Sequence, residues 1–326
     1  MNYLIIGTGG VAGSTASALA QGNHQVTCIC HGDHLEALQR DGLTLRRSFG
    51  NSITTPVTAL SMDNYLTQVQ AGKLTSPDVI ILGVRGYSLK EATDFIVKLN
   101  ADNALILPLM NPFDARAQVE ALLVQAADAL GTPHEALPLV LDGCIYVVAR
   151  MIAPGVVRQS GSTHHIVFGT RNKSAQDDRV QKLLYQLAYE LSCAPGMTCE
   201  LADQPEREVF KKFCFYSPFA ALSVYYSTDA SSLQVPGEQR EGFCQLVKEV
   251  ASLGRVLGYE LPADIESWAL GILDQMAPSS TNSLFRDMQT NRPTELHDLI
   301  EVVCDLADKH GLETPFYHRI ASRFTR

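Results

Sequence analysis

The stretch Tyr3-Leu-Ile-Ile-Gly-Thr-Gly-Gly-Val-Ala-Gly13 decides the fold of the N-terminal half. An apolar run with β-branched residues stops at glycines, and a helical stretch of small residues follows. This pattern predicts a buried strand that turns sharply into a helix. Gly7 allows the tight turn, Gly9 lets backbone N–H groups approach a pyrophosphate, and Ala12 or Gly13 lets the helix pack closely on the strand.

A strand-to-helix turn without a ligand is the alternative interpretation of the same glycines. The position of the turn, with a second strand predicted over residues 25–30, favours a dinucleotide site, because the helix N-terminus then presents free N–H groups to phosphates. The predicted cofactor contacts of this turn are Gly7, Thr8, Gly9, Gly10, Val11 and Ala12.

The composition sets the class of protein. The chain has 326 residues, enough for two domains, with 46% hydrophobic and 19% charged residues, as in ordinary globular proteins. A net charge of −9 argues against nucleic acid or an anionic membrane as a partner. No apolar run reaches the roughly 18 residues of a membrane span, and the glycine-rich N-terminus lacks the basic region of a leader. Eight cysteines without a CxxC pair, and no metal motif, predict a cytoplasmic protein without a metal site.

Two domains are predicted from the change in periodicity. Strands alternate with helices to about residue 110 and antiparallel strands follow, including an edge hairpin of residues 43–47 and 53–57. This predicts an α/β Rossmann-type domain with a mixed sheet over residues 1–175. Residues 176–326 show helical spacing and no convincing strand, which predicts an all-α domain. His164 and His165 are predicted to be surface residues of a strand.

Polar residues that follow predicted strands are candidate ligand contacts, because ligands of open α/β sheets bind outside the carboxyl ends of the strands. Arg85 follows the strand of residues 78–84, and Asn111 follows the strand of residues 104–110. A solvated arginine and a turn-forming asparagine are the alternatives.

His31 occupies the end of the second strand, where an acidic residue would bind a free ribose 2′-hydroxyl. The absence of an acidic residue at this position favours NADP, although a histidine is only partly charged at neutral pH. Asp33, two residues on, keeps NAD open, with a helix N-cap as its alternative role.

Segments along nearly the whole chain together resemble the ketopantoate reductase (2-dehydropantoate 2-reductase) family. They occur in the family's order: Gly7-Thr-Gly-Gly-Val-Ala12, His34-Leu-Glu-Ala-Leu38 with Asp41-Gly-Leu43, Val84-Arg-Gly-Tyr87, Pro108-Leu-Met-Asn111, Gly143 to Tyr146 with Ala153-Pro-Gly-Val-Val-Arg158, Lys211-Lys-Phe213, and Ser283 to Glu295 with Arg292-Pro-Thr-Glu-Leu296.

The resemblance implies an NADPH-dependent reduction of a 2-oxo acid, ketopantoate to pantoate in pantothenate biosynthesis. It implies that Lys212 donates the proton, a role suited to an ammonium. Its neighbour Lys211 is the residue that could be confused with it. The apolar residues around the pair predict that one of them is partly buried, which would lower its pKa.

Further roles follow from the resemblance alone. Glu295 is implied to contact the nicotinamide ribose and the active-site network, and Ser283 to bind the substrate carboxylate. Asn111 is implied to contact cofactor and substrate, Arg85 to lie near the cofactor, and Ala149 to offer a backbone contact to it. Glu295 as a helix-start acid and Ser283 as a loop residue are the alternatives.

The chain departs from the family pattern at several positions. Tyr216 and Ala220 occupy substrate positions that are asparagines in the family, Pro112 replaces a glycine, and His31 replaces a basic residue. The loss of two hydrogen-bonding side chains puts the substrate in question. Reduction of another carbonyl or an imine, or NADP(H) sensing without turnover, therefore stays open as an alternative. A homodimer is also left open.

Overall fold

The protein is described from a computed structural model that covers residues 1–48, 50–171 and 177–324. The chain separates into two compact units. The first comprises Met1–Met110 and Asp114–Pro205, and the second comprises Asn111–Phe113 and Glu206–Arg326. The predicted fold class, a Rossmann-type α/β domain with an all-α domain, is confirmed.

Strands and helices alternate along most of the first unit. Its strands are β1 (Asn2–Ile6), β2 (Gln25–Ile29), β3 (Leu43–Arg47), β4 (Ile53–Thr55), β5 (Thr58–Leu60), β6 (Val79–Leu82), β7 (Leu105–Pro108), β8 (Leu139–Val140), β9 (Asp142–Ala153), β10 (Val156–Gly169) and β11 (Thr198–Leu201). Its helices are α1 (Gly10–Gln21), α2 (Gly32–Asp41), α3 (Met62–Gln70), α4 (Leu89–Leu99), α5 (Ala115–Leu130) and α6 (Asp178–Cys193).

The main sheet is parallel throughout, in the order β5-β2-β1-β6-β7-β8. Its central strands β6 and β7 are buried at every position. Helices cover both faces of such a sheet, which is why these strands are continuous apolar runs in the sequence. Because β1, β2 and β6 run parallel to one another, their carboxyl ends lie at the same edge of the sheet.

The antiparallel strand pairs belong to a separate sheet that also contains parallel pairs, which corrects the prediction of a single mixed sheet. The second sheet has the order β11-β10-β3-β4, with β9 paired to β10. The predicted hairpin is present as β3 and β4, and β4 is an edge strand of this second sheet. Because β3 pairs in parallel with β10, more than 100 residues later, local sequence patterns do not reveal the second sheet.

Helix α1 packs against both sheets. Ala12, Ala16 and Leu19 on this helix share one buried cluster with Ile5 of the parallel sheet and Val157 of the second sheet. The small residues of α1 permit this close packing on two sides. The stretch that begins the chain therefore organises both layers of the first unit.

The end of the first unit differs from the predicted boundary. The boundary between residues 175 and 176 lies outside the described residues. Helix α6 and strand β11 follow it and still belong to the first unit, which ends at Pro205. Strand β11 pairs in parallel with β10, from His165 opposite Thr198 to Phe168 opposite Leu201. It was missed because it has only four residues and none is fully buried.

In its described residues the second unit contains helices joined by turns and no strand. After α7 (Pro205–Tyr226) come α8 (Ser231–Gln234), α9 (Glu238–Val256), α10 (Ile265–Gln275), α11 (Ser283–Gln289), a π-helical segment (His297–Glu301), α12 (Val302–His310) and α13 (Pro315–Ala321). Phe113 explains why Asn111–Phe113 clusters with this unit: its ring centroid lies 5.0 Å from those of Phe210 and Phe213.

A buried hydroxyl pair fixes α7 against the π-helical segment. Ser217 Oγ donates to Leu299 O at 2.5 Å and lies 2.6 Å from the hydroxyl of Tyr317. The next residue, Pro218, lies inside α7 and has no N–H to donate, so the helix is weakened at this point. The hydrogen bonds of Ser217 hold α7 against its neighbours at the point where the backbone hydrogen bonding of the helix is interrupted.

Among the described helices, none has the length and apolar character needed to cross a membrane.

Candidate active site

The glycine turn between β1 and α1 has the geometry of an anion cradle. Gly7 has a φ of +85°, and a Cβ at this position would lie 2.7 Å from Val84 Cγ1. Gly9 is the N-cap of α1, which has no side-chain cap and no acidic residue in its first turn. The first-turn N–H groups have no partner inside the helix, so the turn suits a phosphate.

Neighbouring glycines in the turn meet different surroundings. A Cβ added to Gly10 would lie 2.5 Å from Ala149 O and from Arg150 Cα, both of which are backbone atoms of β9. A Cβ on Gly9 would have only Gly7 O near it, at 3.9 Å. Gly10 is therefore required by packing, whereas Gly9 leaves open space beside the helix N-terminus.

Thr8 is fixed in this turn by a histidine that sequence reasoning did not single out. His34 Nε2 donates to Thr8 O at 2.8 Å, and its Nδ1 accepts from Gly155 N at 2.9 Å. Burial lowers the pKa of His34, which matches a neutral ring that donates at one nitrogen and accepts at the other. The sequence offered no signal for this role, because Gly155 is 121 residues away.

His31 lies where the sequence predicted, just beyond the carboxyl end of β2. It is exposed and is the N-cap of α2, although its side chain makes no capping hydrogen bond. Asp33 is exposed in the first turn of the same helix, so it is not the N-cap. The His31 side chain is therefore accessible to solvent at this edge of the sheet.

Two further predicted cofactor contacts belong to the first unit. Arg85 follows β6 by three residues, is half-buried and precedes a single 3-10 turn over Gly86–Ser88. Ala149 lies on β9, with its carbonyl oxygen beside the first residue of α1. The structure therefore brings Ala149 to the glycine turn, as a backbone contact requires.

The second unit brings together four of the predicted site residues. Lys212 Nζ donates to Asn111 Oδ1 at 3.2 Å and lies 5.5 Å from the ring centroid of Tyr216. The Tyr216 hydroxyl lies 3.0 Å from Ser283 Oγ. Lys212 is only 8% exposed, which is rare for a lysine. A buried lysine at hydrogen-bond distance from an amide oxygen is held in one place rather than freely solvated.

Lys211 has surroundings of a different kind. Its ammonium pairs with Glu208 Oε2 at 3.1 Å and lies 5.1 Å from the Trp268 ring centroid. These are ordinary helix-surface contacts, an i,i+3 ion pair and a cation–π contact. Of the two adjacent lysines, Lys212 is the one directed at the predicted site residues.

Ser283 begins α11, and the residue before it is a donor that sequence reasoning missed. Asn282 caps the helix by accepting from Phe285 N at 2.9 Å. Its side-chain amide nitrogen has no hydrogen-bond partner within the described part of the chain, although the residue is 3% exposed. An asparagine before a helix start is a cap signal, which the sequence does contain.

Glu295 and Ala220 are both buried. Glu295 is 4% exposed and lies directly before the helical residues that lead into the π-helical segment. Ala220 is completely buried one turn after Tyr216 on α7. A methyl group at this position offers no hydrogen bond.

The second-unit residues can stabilise and protonate an oxygen anion. An ammonium favours developing negative charge on an oxygen and can transfer a proton to it. Hydroxyl and amide donors nearby suit a carboxylate. Within the described residues, no cluster of histidine, cysteine, aspartate or glutamate side chains is arranged to hold a metal ion.

Two family models match the chain in sequence. The model described as ketopantoate reductase PanE/ApbA matches residues 3–173, and its C-terminal counterpart matches residues 205–325. The chain belongs to the ketopantoate reductase family. It is accordingly a ketopantoate reductase-like oxidoreductase, and the resemblance seen in the sequence is confirmed.

Similar proteins span the whole length of this family member. A 2-dehydropantoate 2-reductase of Mesorhizobium japonicum is 22% identical over 324 residues, which cover 97% of this chain and 94% of that protein. A ketopantoate reductase structure from Ralstonia eutropha JMP134 has a TM-score of 0.79 at 20% identity, covering 99% and 96% of the two chains. A ternary structure of D-mandelate dehydrogenase with NADH and anilino(oxo)acetate has a TM-score of 0.81 at 18% identity, with the same coverage. At these identities the structures establish a shared fold.

Proposed function

We propose that this oxidoreductase reduces a 2-oxo acid to a 2-hydroxy acid with a nicotinamide dinucleotide, and that Lys212 donates the proton. The observation that carries the proposal is the buried Lys212 ammonium, 3.2 Å from Asn111 Oδ1. A buried ammonium of this kind suits proton delivery to an oxygen. Family membership supports the reaction class.

The residues of the glycine turn fit a dinucleotide. Gly9 leaves open space beside the uncapped N-terminus of α1, and Gly7 takes the left-handed backbone that the turn needs. Val11 and Ala12 would offer N–H groups to the phosphates. The bound dinucleotide would supply a hydride to the substrate carbonyl carbon.

We propose that NADPH is preferred over NADH. His31 replaces the acidic side chain that would bind a free 2′-hydroxyl, and it is exposed at the end of β2. Arg85 and Ala149 would complete the cofactor contacts of the first unit.

The chain's own residues would perform the rest of the reaction. Lys212 Nζ transfers a proton to the substrate oxygen as negative charge develops there. Asn111 holds the ammonium in position, and Ser283 with Asn282 offers donors to the substrate carboxylate. Glu295 would support the lysine and the cofactor ribose.

The contacts of Tyr216 favour a 2-oxo acid with an apolar or aromatic side chain over ketopantoate. Its ring lies beside the lysine, its hydroxyl is engaged with Ser283, and Ala220 adds only a methyl group. The hydroxyl group of ketopantoate would find no amide partner at these two positions, and a polar group buried without a hydrogen bond costs roughly 1–3 kcal/mol. The aromatic oxo acid named with D-mandelate dehydrogenase supports this choice.

A substrate panel tests the proposal. Purified protein is incubated with NADPH or NADH and with ketopantoate, phenylglyoxylate and branched aliphatic 2-oxo acids, and dinucleotide oxidation is followed by absorbance. We expect turnover with apolar 2-oxo acids and a lower kcat/KM with ketopantoate. Turnover only with other carbonyls or imines would contradict the substrate class. Tight NADPH binding without turnover of any substrate, unaffected by Lys212→Ala, would indicate a sensor.

A further inference from the structure

Three arginines lie side by side across the second sheet of the first unit. Arg46 on β3 is the register partner of Arg158 on β10, and Arg158 is also the partner of Arg150 on β9. Register partners on neighbouring strands point to the same face of a sheet, and strands are about 4.8 Å apart. All three residues are exposed. We call this set, Arg46, Arg158 and Arg150, the arginine row.

Within the described residues, no carboxylate forms an ion pair with the arginine row. The arginine ion pairs in this part of the chain involve other residues, such as Arg40 with Asp41 and Arg171 with Asp142. The chain as a whole has 35 acidic and 26 basic residues, so three adjacent arginines run against its overall charge. Like charges directly opposite one another destabilise a sheet unless an anion meets them.

Two members of the arginine row, Arg46 and Arg158, border a concave space of about 380 Å³. This volume lies at the lower end of the range for small-molecule sites. Arg47 also lines the space, but its guanidinium donates to Pro195 O at 3.2 Å. The lining also includes three hydroxyl groups. They belong to Ser48 after β3, Ser52 before β4 and Ser160 on β10.

The arginine row lies on the face of the sheet opposite to the glycine-turn helix. A Cβ on Gly13 of α1 would lie 3.0 Å from Val157 Cγ2, so Val157 faces that helix. Arg158 is the next residue along β10 and points to the other face, because side chains alternate along a strand. The row is therefore separate from the cradle that the glycine turn offers to a dinucleotide.

We propose that the arginine row is a second ligand site, for a small molecule that carries two linked phosphate groups. Guanidinium groups are planar and bind phosphate oxygens with paired N–H donors, so they suit multiply charged phosphates better than the single ammonium of a lysine does. The Cα atoms of three arginines on adjacent strands span roughly 10 Å. Their long side chains can converge on an anion with more than one charged group, which favours a diphosphate over a single carboxylate. The net charge of −9 disfavours a nucleic acid as the occupant.

Titration with inorganic pyrophosphate at constant ionic strength tests the second site. The titration is run by calorimetry with NADPH present at saturation, and Tm is recorded in parallel. We expect one pyrophosphate per chain, a higher Tm, and affinity that falls at least about tenfold in Arg158→Ser. Arg46→Ser should act in the same direction. Arg40→Ser is the matched control: it removes the same charge from an exposed arginine of α2 and should leave the affinity unchanged.

Several results would overturn the second site. One is a rise in Tm with sulfate, at matched ionic strength, that equals the rise with pyrophosphate and persists in Arg158→Ser. Another is pyrophosphate binding that occurs without NADPH and is lost when NADPH is saturating, which would place the anion in the glycine turn. Tighter binding of a short DNA duplex that is lost in Arg158→Ser would make the row a nucleic-acid surface instead. Failure of the proposed reductase activity would leave this test unaffected.

Discussion

At the scale of single residues, His31 is the side chain on which nucleotide preference is expected to depend. We predict that His31→Asp lowers the ratio of kcat/KM for NADPH to that for NADH by roughly tenfold or more, because a carboxylate binds a free 2′-hydroxyl and repels a 2′-phosphate. Steady-state kinetics with both cofactors measure the ratio. His134→Asp makes the same replacement after α5, near the opposite edge of the parallel sheet, and should leave the ratio unchanged. An unchanged ratio in His31→Asp would show that His31 does not contact the 2′ position.

Tyr216 is expected to set substrate preference. We predict that Tyr216→Asn combined with Ala220→Asn raises kcat/KM for ketopantoate relative to phenylglyoxylate by at least about tenfold, since two hydrogen-bonding side chains then replace an aromatic wall. Tyr216→Phe is the matched control, because it keeps the ring and removes only the hydroxyl that meets Ser283. It should keep the aromatic preference. A double variant that still favours phenylglyoxylate would separate Tyr216 from substrate selection.

His164 corrects the prediction of a surface histidine and gives the fold a dependence on pH. It is 3% exposed, and its Nε2 lies 3.2 Å from Thr15 Oγ1. Burial lowers its pKa to about 4, with a smaller contribution from Arg47. The folded protein thus holds the ring neutral while the unfolded chain binds a proton below about pH 6.5.

We predict that the free energy of unfolding falls as the pH drops from about 6.5 towards 4, by about 3 kcal/mol from His164 alone. Urea unfolding at several pH values measures it. His164→Gln cannot bind this proton, so its stability should change less over the same interval. Equal pH dependence in the two proteins would contradict the assignment.

At the scale of elements, two neighbouring glycines of the glycine turn have different roles, Gly10 in packing and Gly9 in cofactor binding. We predict that Gly10→Ala destabilises the first unit, because its Cβ would meet the β9 backbone at 2.5 Å. Gly9→Ala has room for its Cβ and should keep the Tm close to that of the wild type while weakening NADPH binding. Thermal unfolding and NADPH titration give the two readouts. A stable Gly10→Ala, or a Gly9→Ala that binds NADPH normally, would contradict this division.

The elements that could be predicted are those that local pattern determines. The glycine turn, the buried strands β6 and β7 and the long helices follow from apolar runs and from helical spacing. Strand β11 and the second sheet could not be predicted, because they depend on pairing between β3, β10 and β11, which are far apart in the sequence. The burial of His164 has the same origin, since it follows from packing β10 against α1.

At the scale of the whole molecule, the sequence predicted the folds of the two parts better than the boundary between them. The α/β part and the helical part are both present, but the first unit runs to Pro205 and the second includes Asn111–Phe113. Predicted site residues such as Lys212, Asn111 and Tyr216 do come together in the second unit. The arginine row escaped prediction because no sequence pattern reveals the register of three strands.

Lys212 is the proposed proton donor, and its neighbour provides an internal control. Both lysines lie on α7 and carry the same charge, but only Lys212 contacts Asn111 and Tyr216, whereas Lys211 pairs with Glu208. Replacing each with alanine therefore tests position rather than charge. Tm and NADPH affinity verify that both variants fold and bind cofactor.

The most direct measurement is kcat for Lys212→Ala and Lys211→Ala with the best 2-oxo acid at saturating NADPH. We predict that kcat falls by roughly 10²- to 10⁴-fold in Lys212→Ala, the contribution typical of a general acid, and by less than about threefold in Lys211→Ala, whose contacts belong to the helix surface. A Lys212→Ala variant with the wild-type kcat, or an equal loss of kcat in both variants, would contradict the assignment of Lys212 as the proton donor.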